Sequence, residues 1–204
     1  MFVSRFWEKK KNNEQVYLPV EENNLDEIVG YKVAYIKDLK NLEFESLFSG
    51  SYFWADSFAC PNNHTEPEEK CSCGFHSFAT LKQALVEFSN WRQTVYLKVQ
   101  NYGKVIIHQA GYRTETQVLD TIYYTKRCSK TLCYAETQAF GKNENIFKVL
   151  CLKHYKKFQK NKIESYTISQ LRKLHPNIDY QMVITSKLMD HIKYLFVASF
   201  PLKD

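Results

Sequence analysis

Glycine and proline are scarce, at 6 and 5 residues in 204, which excludes collagen-like and low-complexity classes. No stretch approaches the roughly 18 consecutive apolar residues that a membrane-spanning helix needs, so no membrane span is expected. The opening residues, Met1-Phe2-Val3-Ser4-Arg5-Phe6-Trp7 and then Glu8-Lys9-Lys10-Lys11, lack the apolar centre of a secretory signal. They also lack the Arg-rich, acid-poor character of a transit peptide. A cytoplasmic protein, of a bacterium or a similar compartment, is the expectation. Missing too are a Walker A loop, a dinucleotide fingerprint, a His-Glu-x-x-His helix and a nucleophile elbow. No His-x-Glu stands ahead of a Pro-Cys-x-x-Cys pair, as zinc deaminases require. A binding protein is therefore expected ahead of an enzyme.

What is abundant is aromatic: 14 Phe, 14 Tyr and 3 Trp, within 44% hydrophobic and 25% charged residues. That supply of core material excludes a wholly disordered chain, and the length suits one or two domains. Charge is uneven. Residues 1–125 hold 13 Lys/Arg against 16 Asp/Glu, a net of −3, whereas residues 126–204 hold 15 against 6, a net of +9. A basic half of this kind attracts phosphate backbones.

The patterns predict an α+β protein: a mixed, mainly antiparallel sheet domain over 1–125, then a zinc-finger-like segment with helices over 126–204. Residues 8–26 read as a loosely ordered leading segment. Ile28–Ile36 and Leu42–Leu47 read as strands, with a turn at Ser49-Gly50-Ser51. Thr80 caps a helix whose apolar residues at 81, 84, 85 and 88 share one face. Val95–Val99 is a strand, Asn101-Tyr102-Gly103 a turn and Val105–His108 the returning strand, continued by Gly111–Val118 towards Tyr124. Thr167 caps a helix stopped by Pro176, and Ser186 caps a last one over 187–196.

Six cysteines in a reducing compartment point to metal before disulfides. Cys60, Cys71 and Cys73 lie within 14 residues, with His64 between them and His76 just beyond. The set offers Cys3His ligation with either histidine, on a polar loop with little else to order it. Gly74 would let the backbone turn tightly after Cys73.

Gly30-Tyr31, Trp54, Ala59-Cys60, His64, Pro67 and Cys71-Ser72-Cys73-Gly74 are followed by Tyr96-Leu97, Val105, His108 and Gly111-Tyr112-Arg113-Thr114-Glu115. This order resembles a family of uncharacterised small bacterial proteins, which pairs a Cys…His…Cys-x-Cys-Gly loop with a later His…Gly-(Trp/Tyr)-Arg-x-Glu strand. The resemblance covers residues 28–120. It implies no activity, and it implies His64 as the fourth ligand, with His76 a substitute or supporting residue.

Cys128-x4-Cys133 and Cys151-x2-His154 stand 17 residues apart. Such pairs fit a turn that carries two ligands and a helix start that carries two more, because positions i and i+3 share a helical face. Phe140, Ile146, Phe147 and Val149 would form a hairpin between them. The segment 128–165 resembles a treble-clef zinc finger. Two structural zinc ions per chain are thus expected, one in each cluster, since four protein ligands leave no open catalytic position. Lys153, Lys156, Lys157 and Lys160 follow i, i+3, i+4, i+7 spacing, with Tyr155 and Phe158 interleaved. They are the candidate contacts to DNA or RNA, a protein partner being the other expectation. The competing functional reading is a hydrolase or ligand-sensing domain in which His108, Arg113 and Glu115 line a pocket.

Overall fold

A computed structural model describes residues 28–46, 50–52, 67–68, 71, 74–87, 94–108 and 111–183. The leading segment, Cys60, His64, Cys73 and the helix expected at 187–196 lie outside the described residues. The β-branched run at position 28 forms β1 (Ile28–Asp38). Its side chains alternate as a two-sided strand requires. Ala34 and Ile36 enter the main core, while Val33 packs on the opposite side with Phe78, Ala84 and Tyr96.

β2 (Glu43–Ser46) and β3 (Gly50–Tyr52) follow in antiparallel order. Gly50 and Ser51 pair with Ser46 and Glu45. They are strand residues, not members of the turn expected at 49–51. β4 (Phe75–Phe78) leads into α1 (Leu81–Glu87). Thr80 caps α1 as expected: the Gln83 N–H donates to Thr80 Oγ1 at 3.2 Å, and the Thr80 N–H donates to Gln83 Oε1 at 2.9 Å.

The reversal expected at Asn101-Tyr102-Gly103 does not occur. β5 (Val95–His108) runs straight through these residues and pairs along its length with β6 (Gly111–Thr125). Of the three, only Gly103 has a positive φ, +70°. A two-residue hairpin of the commonest type needs two such residues in succession. The register slips instead: Tyr102 faces Thr116, whereas Val105 faces Thr114. One extra residue is thus absorbed as a bulge, and the chain turns back between His108 and Gly111.

Four of these strands close a ring. β1 pairs with β5, β5 with β6, β6 with β4, and β4 with β1 through Tyr31 and Phe78. After β6 the chain makes β7 (Ala139–Asn143), β8 (Ile146–Leu150), α2 (Leu152–Lys160), β9 (Ser165–Thr167) and α3 (Ile168–Leu174). β10 (Asp179–Val183) then lies parallel to β6. A parallel neighbour demands a long crossover, and residues 126–178 supply it. Every other pairing among the described strands is antiparallel. The fold is therefore mixed and mainly antiparallel α+β.

Residues from both sides of position 125 build one core. Ala34, Ile36, Leu97, Val99 and Ile122 pack with Phe140, Phe147, Val149, Leu171 and Tyr180. Phe147 also pairs with Ile36 on β1. His175, which closes α3, bonds through Nε2 to the Leu39 carbonyl at 2.7 Å. The two segments expected on either side of 125 thus share their hydrophobic interior.

At one end that interior turns polar. Lys32 is buried, and its Nζ donates to Gln117 Oε1 at 2.9 Å and lies 5.3 Å from the centre of the Phe75 ring. The Gln117 amide donates to Asn101 Oδ1 at 2.8 Å. Asn101 Nδ2 in turn donates to the Ile28 carbonyl at 2.9 Å. Gly30 makes room for this network, since a β-carbon there would stand 2.2 Å from Ser77 Oγ and 2.7 Å from Asn101 Nδ2.

Loss of hydration lowers the Lys32 amine from the ordinary 10.5 to about 7. The unfolded chain then binds the proton more tightly than the folded one. The penalty of charging Lys32 is full below about 7 and fades as the pH rises towards 10.5. Stability should therefore rise between neutral pH and pH ~9.5, by on the order of 3 kcal/mol. Lys32→Met should flatten that rise. Urea midpoints measured for both proteins across the range check this, and parallel curves would refute it.

Candidate metal centre

Directly after β6 the chain folds back into a short ribbon. The Thr137 N–H donates to the Lys126 carbonyl at 2.8 Å and the Cys128 N–H to the Ala135 carbonyl at 3.0 Å. Between these, Arg127 and Glu136 form an isolated bridge. At the tip the Cys133 N–H returns to the Lys130 carbonyl at 3.0 Å, closing a turn in which Leu132 takes a φ of +58°. The ribbon is tied down where the Ser129 N–H donates to the Val149 carbonyl at 2.9 Å.

The β7–β8 hairpin then delivers Cys151 to the start of α2. There it is the N-cap residue, with extended backbone, and its carbonyl accepts the Tyr155 N–H at 2.9 Å. Its side chain makes no capping hydrogen bond and turns to the other cysteines. His154 sits three residues on, over the same end of the helix.

Turn and helix start bring four donor atoms together. Cys128, Cys133, Cys151 and His154 each offer one, and all lie within 4.8 Å of one another. His154 Nδ1 is 3.4 Å from Cys128 Sγ and 3.3 Å from Cys151 Sγ, and Cys133 Sγ is 3.8 Å from Cys151 Sγ. The sulfur separation is nearly twice a disulfide bond of about 2.05 Å. These four residues could hold one metal ion.

Around them is a small satellite core of Cys128, Ala139, Leu150, Cys151 and Phe158, flanked by Cys133 and Tyr155. Gly141 lets α2 settle on the hairpin, because a β-carbon there would lie 2.5 Å from both the Leu150 and the Phe158 side chains. So little apolar material is a weak glue by itself. An ion shared by ribbon and helix would contribute much of the remaining stability.

The electrostatics of the cluster act in two directions. Burial pushes the Cys128 thiol up to about 11, so in isolation it keeps its proton. For Cys151, burial also acts upward, but the backbone N–H of His154 and the adjoining thiols outweigh it, and the net shift is downward. Backbone N–H groups at a helix start stabilise a thiolate in this way. His154 lies below the ordinary 6.5, first through burial and then through the charges of Lys130, Lys153 and Lys157. Its imidazole is neutral at pH 7 and able to coordinate.

The other expected residues are placed less tightly. Of the first cluster, Cys71 and His76 are described; Cys71 is half-buried, and His76 lies in β4 opposite Arg113. The Glu68 carbonyl accepts the Cys71 N–H at 3.2 Å and Arg113 Nη2 at 2.7 Å, which pins this loop to β6. Gly74 has a φ of +101°, the turn-forming role expected of it.

In the rival trio, Arg113 is buried and Glu115 accepts the Lys104 N–H at 3.3 Å beside the bulge. His108 is shifted downward by burial and by Arg113. Glu115 thus serves the β5–β6 bulge, and no Arg113–Glu115 ion pair is among those of the described residues.

Lys153, Lys156, Lys157 and Lys160 are all exposed on α2, whose buried side is Phe158. Lys130 joins them from the ribbon, its Nζ lying 5.1 Å from the Phe158 ring centre. Sequence reasoning missed Lys130 and Arg127. Both flank Cys128 and were visible as a basic pair, but their approach to α2 and to the Tyr134 ring depends on the turn. The buried Lys32 was missed as well.

No protein-family model, no curated protein and no solved structure matches this chain.

Cys151→Ser should abolish metal binding at this cluster and open residues 126–165 to protease, because ion binding at such sites is worth on the order of 10 kcal/mol and is also folding energy. Elemental analysis and limited proteolysis of variant and wild type test this. A wild-type digestion pattern with undiminished metal would refute the assignment.

Proposed function

We propose that residues 126–165 form a zinc finger of the treble-clef type, with one structural zinc ion, and that its basic surface binds nucleic acid. The observation that carries the reading is the convergence of three thiols and one imidazole from a turn and a helix start onto one point. Zinc–sulfur bonds of about 2.3 Å and zinc–nitrogen bonds of about 2.0–2.1 Å, meeting tetrahedrally, give edges of about 3.8 Å between sulfurs and about 3.6 Å between sulfur and nitrogen. Three of the six separations, at 3.8, 3.4 and 3.3 Å, lie within a few tenths of these, and all six are within 4.8 Å. Turn, hairpin and helix follow in the order that a treble clef uses. Four protein ligands would leave no place for a catalytic water, so the role of the ion is structural.

Nucleic acid is favoured as the partner by charge. Residues 126–183 carry 12 Lys/Arg against 4 Asp/Glu. Six of the twelve lie on the ribbon and the exposed side of α2 within reach of the metal cluster or one turn beyond it: Arg127, Lys130, Lys153, Lys156, Lys157 and Lys160. Like charges at i, i+3 and i+4 repel by a few tenths of a kcal/mol per pair. A phosphate backbone removes that repulsion and releases counterions.

Replacing Lys156, Lys157 and Lys160 together with Ala should weaken binding to DNA or RNA and lower the salt slope by roughly one for each lost phosphate contact. Zinc content should stay unchanged, as no ligand is altered. Filter-binding titrations at several salt concentrations test both points. Absence of binding by the wild type at low salt would remove the proposal and leave a protein partner.

A further inference from the structure

The tip of the metal ribbon presents what a well-folded surface usually hides. Leu132 keeps 81% of its surface exposed and Tyr134 68%. Neither side chain is loose on a long loop. The Lys130–Cys133 turn holds Leu132 at a φ of +58°, a backbone state that costs a leucine more than it would glycine or asparagine. Cys128 and Cys133 clamp the turn from both ends. One face of the Tyr134 ring lies under the Arg127 guanidinium, 5.4 Å from its centre. The ring is thereby oriented, and most of its remaining surface is open.

The surroundings narrow the choice of occupant. From 126 to 137 the ribbon carries Lys126, Arg127 and Lys130 against one acidic residue, Glu136. Lys153, in the first turn of α2 beside Cys151 and His154, and Lys157, one turn on, are both exposed. A purely apolar partner would have to dehydrate these cations at a cost. A nucleobase stacks on an aromatic face while its own phosphates meet the adjacent cations. Duplex DNA keeps its base faces covered, whereas a single strand exposes them.

We propose that Tyr134, backed by Arg127 and flanked by Leu132, is a stacking platform for an unpaired base of single-stranded nucleic acid, with Lys130, Lys153 and Lys157 taking the neighbouring phosphates. This rests on the nucleic-acid reading above and specifies its substrate as a single strand.

The test uses the full, zinc-loaded chain with 16-residue oligo(dT) and oligo(U), each also prepared with one 2-aminopurine, and a duplex of equal length. Tyr134→Ala should weaken single-strand binding about tenfold and abolish the 2-aminopurine quenching. It should leave the salt slope, the duplex affinity and the zinc content unchanged, and Tyr134→Phe should restore wild-type binding. The ratio of oligo(dT) to oligo(U) affinities assigns the strand as DNA or RNA, and either supports the proposal.

If Tyr134→Ala binds single strands as the wild type does, the platform is overturned while the nucleic-acid reading stands, and the tip is left to a protein partner. Wild-type binding to the duplex alone has the same meaning. If the wild type binds no nucleic acid at all, both readings fall together.

Discussion

Strand β6 is the constraint on which the rest depends. Its first residues hold β4 and the far end of β5, its middle completes the long pairing with β5, and its last five residues accept β10 in parallel. Parallel pairing forbids a short return. The chain between β6 and β10 must therefore make an excursion, and that excursion carries the cluster of three cysteines and one histidine. Both of its ends are held by the same strand, because the Lys126 N–H donates to the Val183 carbonyl at 3.1 Å. The ribbon that carries Cys128 and Cys133 thus starts from a fixed point, and the Ile36–Phe147 pairing fixes the hairpin that carries Cys151.

Electrostatics explains why cations gather at the cluster. Three thiolates around a divalent ion would leave one negative charge, which Lys130, Lys153 and Lys157 would offset. Burial first, and then the same lysines, shift His154 downward, towards the neutral form that coordinates. They therefore have a local role before any partner arrives. Lys156 and Lys160 are not among the charges acting on His154, so they contribute mainly to the outer surface.

The polar end of the interior shows a different compromise. Lys32 lies among Gln117, Asn101 and Phe75 where the strand ring closes. A buried cation is costly, and a hydrogen-bonded amide only partly offsets the loss of water. The position demands a long side chain that can reach Gln117 across the ring, and Gly30 beside it clears the space. The strain of a buried amine is accepted at the point where β1 must approach both β4 and β5.

Elements whose cause is local were legible in the residues. The alternation of β1, the Thr80 and Thr167 capping boxes and the α2 lysine spacing depend on neighbours three or four positions away. The ligands Cys128, Cys133, Cys151 and His154 were legible for the same reason, since each pair sits within one turn. Beyond that range the residues misled. Asn101-Tyr102-Gly103 has turn composition, yet pairing with β6 on both sides of the bulge keeps β5 extended, because eleven paired positions outweigh one local preference.

The charge step at 125 suggested separate segments, but hydrophobic residues carry no mark of which distant strand they will meet, and those on both sides met in one core. Lys32 looked like any strand lysine until the ring closed over it. Composition and short spacing by themselves determined β1, β2, the Thr80 and Thr167 caps and the four clustered cysteine and histidine residues. Only the tertiary structure decided the bulge, the shared core, the buried amine and the convergence of two ligand pairs 17 residues apart, because each rests on contacts between residues far apart in the chain.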